Sequence, residues 1–274
     1  MGNAAHGTEQ KPATAARIYD YVLGGVHNFP ADREAARKSI ELFPLIPAQA
    51  RANRAFLRRA VRYLADSGVR RFLDIGSGMP TEGNVHEIAQ EVAPETQVVY
   101  VDLDPLAVAE SLEILEGNKF ATAIRGDLRE PQEILGHPRV RELLDSDQPV
   151  GLLLVAVLHF VPDDAVAYGA VSQLLAALPP GSYLAASHVA IEGFEPGSAR
   201  AESIKMGKEI YRQQTATPVT LRSRDQVARF FEGCAELVDP GIAWTTEWRP
   251  AAGDPTDFAD DPRLSGAWAG VGRI

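Results

Sequence analysis

Three acidic residues stand where three predicted strands end, and two glycines accompany the first of them. The stretch RRFLDIGSGMP places Asp74 at the end of an apolar run, with Gly76 and Gly78 directly after it. Asp102 ends the run VVYVD, and Asp127 follows FATAIRG. Glycine lacks a Cβ, so a ligand can approach the backbone of such a turn closely. The pattern predicts a ligand site at the carboxyl edge of a parallel sheet, where the ends of successive strands meet.

The glycine pattern differs from the fingerprint of dinucleotide-binding turns. That fingerprint, G-x-G-x-x-G, requires a third glycine where this chain has Thr81. Pro80 has no N–H group to donate to a pyrophosphate, and Asp74 brings negative charge to the same turn. A nicotinamide-dependent oxidoreductase is therefore disfavoured, and a ligand that carries an ammonium or a sulfonium is favoured.

The second and third acids have the chemistry to bind a nucleoside. The carboxylate of Asp102 can accept hydrogen bonds from both hydroxyls of a ribose, and Leu103 can pack on a ring face. Asp127 can accept from an adenine amino group, with the backbone of Leu128 beside the ring. Each acid also has a structural alternative, because acids at strand ends cap the helices that follow. The three together predict a pocket for a cationic adenosine compound.

A sheet must bring these residues together, and the chain beyond position 69 predicts one. Strand-like runs alternate there with helix-like stretches that end near Gly or Pro. This rhythm predicts a parallel sheet covered by helices on both faces. The five predicted strands are 70–75, 96–102, 120–127, 149–160 and 181–190. Residues 235–248 and 264–274 are expected to pair antiparallel at the sheet edge.

Helical patterns precede the sheet. Three helices are predicted, over residues 13–25, 31–43 and 47–68. Together they form an N-terminal helical cap at 13–68, which follows a disordered start at 1–12. Residues 69–274 form the predicted ligand-binding domain, with a helical insertion at about 194–218. The arginines of the third helix fall mostly opposite its apolar residues, which predicts a solvent-exposed face.

The composition excludes several classes of protein. The 274 residues are 45% hydrophobic and 23% charged, which is typical of a globular protein. The net charge of −10 is unfavourable for contact with a phosphate backbone, so we expect no nucleic-acid partner. No apolar run reaches the ~18 residues of a membrane span, and no secretory signal is recognisable, so we expect a cytoplasmic protein without membrane contact. A single cysteine and the lack of metal-ligand spacing predict no metal site.

Several motifs together resemble those of class I S-adenosylmethionine-dependent methyltransferases: FLDIGSGMP, VVYVDLDP, IRGDLREP, VAVLHFVPDD and LPPGSYLAASH. More narrowly, ARIYDYVLGGVHNFPADREAA and DIGSGMPTEGNVHEIAQ resemble an actinobacterial methyltransferase family once classified as a domain of unknown function. The resemblance covers nearly the whole chain. It implies a Rossmann-like α/β sheet of seven strands, mostly parallel with an antiparallel last strand, and an N-terminal helical lid. It also implies S-adenosyl-L-methionine as the cofactor.

The resemblance assigns roles to residues of this sequence. Asp74, Gly76 and Gly78 would meet the methionine part of the cofactor, with Asp74 near its ammonium. Ala156, at the end of the fourth strand, would offer backbone groups beneath the methionyl group. Asp102 would hold the ribose. The run VAVLHF lacks the Asn-Pro-Pro-Tyr-like signature of enzymes that methylate amino groups of DNA or glutamine, which disfavours nucleic-acid bases as substrates.

The acceptor side has weaker signals. His159 and His188, near the ends of the fourth and fifth strands, are candidate general bases, which a hydroxyl acceptor would need. His27, between the first two helices, is a weaker candidate. Arg17 and Tyr19 of the first helix are predicted to lie at the cofactor, and either side chain could contact the cofactor's carboxylate. Each has a structural alternative, since a histidine can bond a loop carbonyl and an aromatic residue can pack a helix onto the sheet.

The expected function is methyl transfer to a small-molecule acceptor by a monomer or a homodimer. The first alternative is a regulator that binds S-adenosylmethionine without catalysis. The second, which the glycine turn disfavours, is the nicotinamide-dependent oxidoreductase.

Overall fold

A computed structural model describes residues 12–80, 83–192 and 219–274, and a mostly parallel sheet forms their centre. The strands are β1 (Arg71–Ile75), β2 (Gln97–Asp102), β3 (Ala121–Arg125), β4 (Gly151–Val155), β5 (Tyr183–Val189), β6 (Glu236–Leu237), β7 (Ala243–Trp244) and β8 (Ala267–Arg273). Their order is β3-β2-β1-β4-β5-β8-β6, and β7 also pairs with β8. The first five strands are parallel and β8 is antiparallel to β5, so the predicted fold class is confirmed.

Two short strands share the outer edge of β8. Leu237 pairs with Gly272, and Trp244 pairs with Trp268, both antiparallel. Pro240 lies between β6 and β7 and has no N–H group to continue the ladder. The described sheet therefore has eight strands, because two occupy the edge position expected for one. The predicted antiparallel pairing of the C-terminal segments is confirmed.

Helices connect the strands and cover both faces of the sheet. They are α1 (Ala15–Val22), α2 (Pro30–Leu42), α3 (Ile46–Asp66), α4 (Val85–Val92), α5 (Pro105–Ile114), α6 (Pro131–Gly136), α7 (Pro138–Leu144), α8 (Asp164–Ala176) and α9 (Arg224–Ala228). Acids at the sheet's carboxyl edge cap two of them: Asp104 accepts from the Leu106 N–H at 2.9 Å, and Asp163 from that of Val166 at 3.0 Å. Within the described ranges, no helix has both the length and the apolar character to cross a bilayer.

Alternate residues of the central strands point to opposite faces, and each face has its own hydrophobic core. Leu73 and Leu152 lie in the core under α8, whereas Phe72 and Leu153 lie in the core under α3. Helix α3 therefore packs directly on the sheet. The other two helices of the predicted cap, α1 and α2, share a small core of their own, formed by Ala13, Ile18, Ala35 and Ala36.

The exposed face predicted for the third helix is wrong for Arg59. This side chain is 8% exposed, and its Nε donates to the Trp248 carbonyl at 2.8 Å. Its Nη2 donates to the Thr245 carbonyl, and its Nη1 pairs with Asp254. Helical periodicity cannot reveal that a distant segment after β7 covers this side of the helix.

The fourth strand is shorter than predicted. It ends at Val155 because Ala156 has φ +57°, outside the extended region, and a 3-10 helix, Leu158–Phe160, follows. The predicted insertion at about 194–218 lies outside the described residues, as does the predicted disordered start apart from Pro12.

Candidate active site

The turn after β1 leaves room for a ligand at its backbone. Gly76 and Gly78 have φ +78° and +70°, a region that favours glycine. A Cβ on Gly76 would lie 2.3 Å from Cγ2 of Val157, so no side chain fits there. Among the described residues, no atom lies within 4 Å of a Cβ built on Gly78. The pair thus combines tight packing against the residue after β4 with a backbone that no described side chain covers at Gly78.

Asp102 joins the end of β2 to this turn. Its Oδ2 accepts from the Gly78 N–H at 2.7 Å, and its Oδ1 accepts from the Asp104 N–H at 2.8 Å. Each carboxylate oxygen has two lone pairs, so the group can accept from a ribose hydroxyl in addition to these backbone N–H groups. The next residue, Leu103, is 49% exposed and offers an uncovered apolar surface beside the carboxylate. This arrangement fits the sugar and base of a nucleoside.

Asp74, near the end of β1, is a buried carboxyl group whose ionisation a nearby cation would favour. The side chain is buried, and burial raises its pKa to about 7, an effect that Asp102 reinforces and Arg54 opposes. A buried carboxyl group is costly to ionise unless a cation lies beside it. The site therefore fits a ligand that brings an ammonium group.

Arg54 is a functional candidate that sequence reasoning missed. It lies on α3, its Nη2 donates to the Gly83 carbonyl at 3.0 Å, and its charge acts on both Asp74 and Tyr19. Arg54 thus lies between α1, which carries Tyr19, and the glycine turn. The sequence shows it only as one of several arginines in 47–68, and periodicity does not indicate which of them faces the cleft.

The carboxylate of Asp127, which follows β3, is already hydrogen-bonded within the protein. Asp127 accepts from Nε of Arg129 at 2.9 Å, and this contact lowers its pKa. Leu128 is buried in the hydrophobic core. Contact of these two residues with an adenine stays a prediction.

Arg17 has a different environment from the predicted one. Its Nε donates to Asp32 at 2.9 Å, its Nη1 donates to Asp104 at 2.8 Å, and its Nη2 donates to the Pro12 carbonyl. With all three nitrogens bonded inside the protein, the guanidinium fastens α1 to the turn after β2, and its contact with a ligand carboxylate stays a prediction. The prediction overlooked Asp32 and Asp104 as competing carboxylates.

Tyr19 faces the third helix. Its hydroxyl donates to the Ala50 carbonyl at 3.2 Å and accepts from Nδ2 of Asn53 at 3.1 Å. Burial raises its pKa, so it is a neutral phenol at physiological pH. Ala156 lies at the end of β4, where its N–H donates to Oγ of Ser187 at 3.0 Å. Direct cofactor contacts of Tyr19 and Ala156 stay predictions.

His188 does not have the free nitrogen that a general base requires. A carbonyl can only accept, so the 2.8 Å contact with the Val189 carbonyl places the proton on Nδ1. Nε2 then accepts from Nη1 of Arg222 at 2.8 Å. Burial, above all, lowers the pKa of His188 to about 4. Both ring nitrogens of His188 are therefore hydrogen-bonded within the protein, and its role as a base stays a prediction.

His159 is a buried neutral imidazole. It is 6% exposed, and within the described part of the chain its Nδ1 has no hydrogen-bond partner. Burial and the nearby His188 and Arg222 lower its pKa well below the usual value. It keeps an open nitrogen but is a weak base, so its catalytic role stays a prediction.

Arg222, which sequence reasoning also missed, holds the segment around His159. It is completely buried and donates to the carbonyls of Leu158 and Val161, in addition to His188 and the carboxylate of Asp164. The sequence offers only a basic residue before a helix. Among the described residues, no group of three or more His, Cys, Asp or Glu side chains could hold a metal ion.

Comparison with known proteins adds to this geometry. A family model described as S-adenosyl methyltransferase matches residues 2–274. A DUF574 family protein from Streptomyces avermitilis MA-4680 is 40% identical, with a TM-score of 0.86, over 96% of this chain and 97% of that one. A candidate methyltransferase from Thermobifida fusca YX is 37% identical, with a TM-score of 0.85, over 96% and 95% of the two chains. Comparison with curated proteins gave no match.

More distant structures share the fold alone. The CurJ carbon methyltransferase is 16% identical with a TM-score of 0.54, over 93% of this chain and 66% of that one. An O-methyltransferase family protein from Burkholderia thailandensis is 13% identical with a TM-score of 0.52, over 89% and 60%. One of these two proteins methylates carbon and the other is named for oxygen, so the shared fold does not indicate the acceptor atom.

Proposed function

The chain belongs to the S-adenosyl methyltransferase family, and from that membership we propose that it transfers the methyl group of S-adenosylmethionine to a small molecule. The observation that carries the proposal is the arrangement at the carboxyl edge of the sheet. There the buried Asp102 carboxylate accepts from the N–H of Gly78, a glycine with positive φ in the turn after β1.

The residues present fit S-adenosylmethionine. Asp102 would accept from the ribose hydroxyls, Leu103 would pack on the adenine, and Asp74 would face the ammonium. Arg54, beside Asp74, supplies positive charge for the carboxylate of the same amino-acid group. When bound, this cofactor supplies a methyl group on a sulfonium, which a nucleophile can displace in line.

The chain's own contribution is chiefly position and exclusion of water. The glycine turn and Asp102 orient the adenosine half, and the cap formed by α1 and α2 is fastened over the β2 turn by Arg17 and Thr14. Both ring nitrogens of His188 are engaged within the protein, which favours His159 as the base if the acceptor is a hydroxyl. A thiol or an amine would need less assistance.

The cap supports a small acceptor. Helices α1 and α2 lie at the same edge as the cofactor cleft, and His27 of the loop between them contacts Glu110 of α5 at 2.9 Å. A cap tied down at both its first helix and this loop suits an enclosed pocket better than a groove for a polymer. The net charge of −10 is likewise unfavourable for a nucleic acid.

A labelled-methyl assay tests the proposal. The protein is incubated with S-adenosylmethionine that carries a radioactive methyl group and with fractionated small-molecule extracts, and label is measured in each fraction. We expect transfer to a small-molecule fraction, and weaker transfer by the Asp102→Ala variant at a cofactor concentration below the wild-type Kd. A protein that binds the cofactor but labels no small-molecule fraction would contradict the proposal and favour the non-catalytic regulator.

A further inference from the structure

A buried chain of hydrogen bonds runs from the cap to the end of β4. Tyr19 accepts from Asn53 at 3.1 Å, the Ser187 hydroxyl donates to Oδ1 of Asn53 at 2.6 Å, and the Ala156 N–H donates to the Ser187 hydroxyl at 3.0 Å. We propose that Ser187 and Asn53 are positioning residues that hold Ala156 in the conformation needed to bind the amino-acid half of the cofactor. This inference rests on the proposed function.

Ala156 needs external support. It and Arg249 are the non-glycine residues with positive φ in the described part of the chain, and its φ of +57° is unfavourable for a residue with a Cβ. Such a conformation persists only where the surroundings enforce it, and it is common at ligand sites. The enforcing contacts here come from Ser187, whose hydroxyl and carbonyl both accept from the Ala156 N–H, at 3.0 and 3.2 Å.

The turn at Ala156 determines how β4 meets the cofactor cleft. The next residue, Val157, packs so closely on Gly76 that a Cβ there would lie 2.3 Å from its Cγ2. If Ala156 changed to a negative φ, Val157 would move, and the part of the glycine turn at Gly76 would move with it. The ribose acid Asp102 contacts the outer part, at Gly78, and has no bond to this chain of residues. The effect should therefore be confined to the amino-acid half.

Burial makes the chain of bonds specific. Ser187 is completely buried and Asn53 is 7% exposed, so neither finds water as a substitute partner. A pair of apolar residues could fill the same space at little cost in stability. The presence of a polar pair is thus explained by its effect on Ala156. Asn53 orients the Ser187 hydroxyl, and this hydroxyl accepts from the Ala156 N–H.

Calorimetric titration with two ligands tests the inference. The probes are S-adenosylhomocysteine and 5′-deoxy-5′-methylthioadenosine, which lacks the amino-acid group. The Ser187→Ala variant should bind S-adenosylhomocysteine about tenfold more weakly, the effect of one lost hydrogen bond, and methylthioadenosine unchanged. Adding Ala156→Gly should restore the affinity to within about threefold, because glycine adopts positive φ without strain.

Ser182 provides a matched control. It is also a completely buried serine, and its hydroxyl accepts from the Val150 N–H at 2.9 Å, at the opposite end of β4 and β5. The Ser182→Ala variant should unfold at a lower temperature and bind S-adenosylhomocysteine like the wild type. A loss of affinity that merely follows lost stability would appear in both variants.

Three outcomes would overturn the inference: equal affinity in Ser187→Ala and wild type, equal losses for both ligands, or no restoration by Ala156→Gly. If Ser187→Ala does not fold, Asn53→Ala on α3 carries the same comparison, with the same expected restoration. A wild-type protein that binds neither ligand would remove the proposed function as well. Wild-type binding with an unaffected Ser187→Ala variant would remove this inference alone.

Discussion

Asp74 couples the protonation of a single carboxyl group to ligand binding. Burial raises its pKa to about 7, so around neutral pH the cofactor-free protein is a mixture of the neutral and ionised forms. The ammonium of the cofactor favours the ionised form. Binding therefore releases a proton at low pH, and affinity should depend on pH over the range in which this group titrates.

The affinity for S-adenosylhomocysteine should fall about tenfold from pH 8 to pH 6, because one carboxyl group with a pKa near 7 must lose its proton. The Asp74→Asn variant should bind more weakly and show no such dependence. Titration calorimetry across this range measures both effects. A similar pH dependence in the variant would show that another group is responsible.

The same shift predicts a change in stability. An acid whose pKa is higher in the folded state disfavours folding when it is ionised, so the cost is largest above pH 7 and disappears as the pH falls. At pH 8, without ligand, the Asp74→Asn variant should therefore have a higher melting temperature than the wild type. A lower melting temperature would indicate that the ionised carboxylate stabilises the fold.

Asp102 should contribute to affinity through hydrogen bonds. We expect Asp102→Ala to weaken S-adenosylhomocysteine binding by about 1–3 kcal/mol, the cost of the lost ribose contacts and of an unpaired Gly78 N–H. Asp163→Ala is the matched control, because Asp163 also follows a strand at the carboxyl edge but caps α8. It should lose stability and retain affinity. Unchanged affinity in Asp102→Ala would remove the ribose assignment.

His188 should make the fold sensitive to acid. Its pKa is lowered to about 4, so the unfolded chain takes up this proton first as the pH falls from about 6.5. Stability from the neutral ring is complete above that pH and is lost toward pH 4, by up to about 1.4 kcal/mol per pH unit. Protonation of Asp74 has the opposite effect on stability over part of this pH range. The contribution of His188 is therefore measured as the difference between a His188 variant and the wild type.

The His188→Gln variant should lose less stability than the wild type between pH 6.5 and pH 4. Denaturant unfolding at each pH gives the free energies. If the free energy of unfolding changes with pH equally in the two proteins, His188 is not the group responsible for the loss of stability.

At the level of elements, the N-terminal helices depend on a few charged contacts. Arg17 links α1 to Asp32 of α2 and to Asp104, whose own N–H supports Asp102. The small core shared by α1 and α2 is separate from the two cores of the sheet. The cap should therefore loosen without unfolding the sheet.

Arg17→Ala should destabilise the cap by about 3–5 kcal/mol, since it leaves two buried carboxylates without their cation. Hydrogen exchange measured by mass spectrometry should show faster exchange over α1 and α2, with β1 to β5 unchanged. The control is Arg37→Ala on α2, where the arginine contacts the hydroxyl and ring of Tyr21 at the protein surface. Equal loss of protection in the sheet would contradict a separate cap.

At the level of the whole molecule, the cofactor should stabilise the fold, because its proposed site joins residues from the cap, three strands and the loops between them. At a ligand concentration 100 times Kd the gain is about 2.7 kcal/mol, which raises the melting temperature by several degrees. We expect this shift with S-adenosylmethionine and S-adenosylhomocysteine and none with NAD. A shift with NAD alone would favour the oxidoreductase.

Sequence by itself determined the sheet and the edge at which the site lies. Apolar runs that end in Asp74 and Asp102 place these acids at strand ends, because the strand pattern is local and successive parallel strands end on the same side. Gly76 and Gly78 also marked the turn in the sequence, because glycines directly after a strand are typical of a turn with positive φ. The structure gives both residues a positive φ. The same stretches carried the resemblance to the family that the comparisons confirm.

Only the tertiary structure decided which side chains are free to react. Arg17 meets Asp104 across 87 residues, Arg222 meets His188 across 34, and Arg59 meets Asp254 across 195. A hydrogen bond of about 3 Å depends on how whole elements pack, and no local pattern encodes that distance. Sequence therefore placed Asp74 and Asp102 at one edge of the sheet, whereas packing determined the partners of His188 and Arg17.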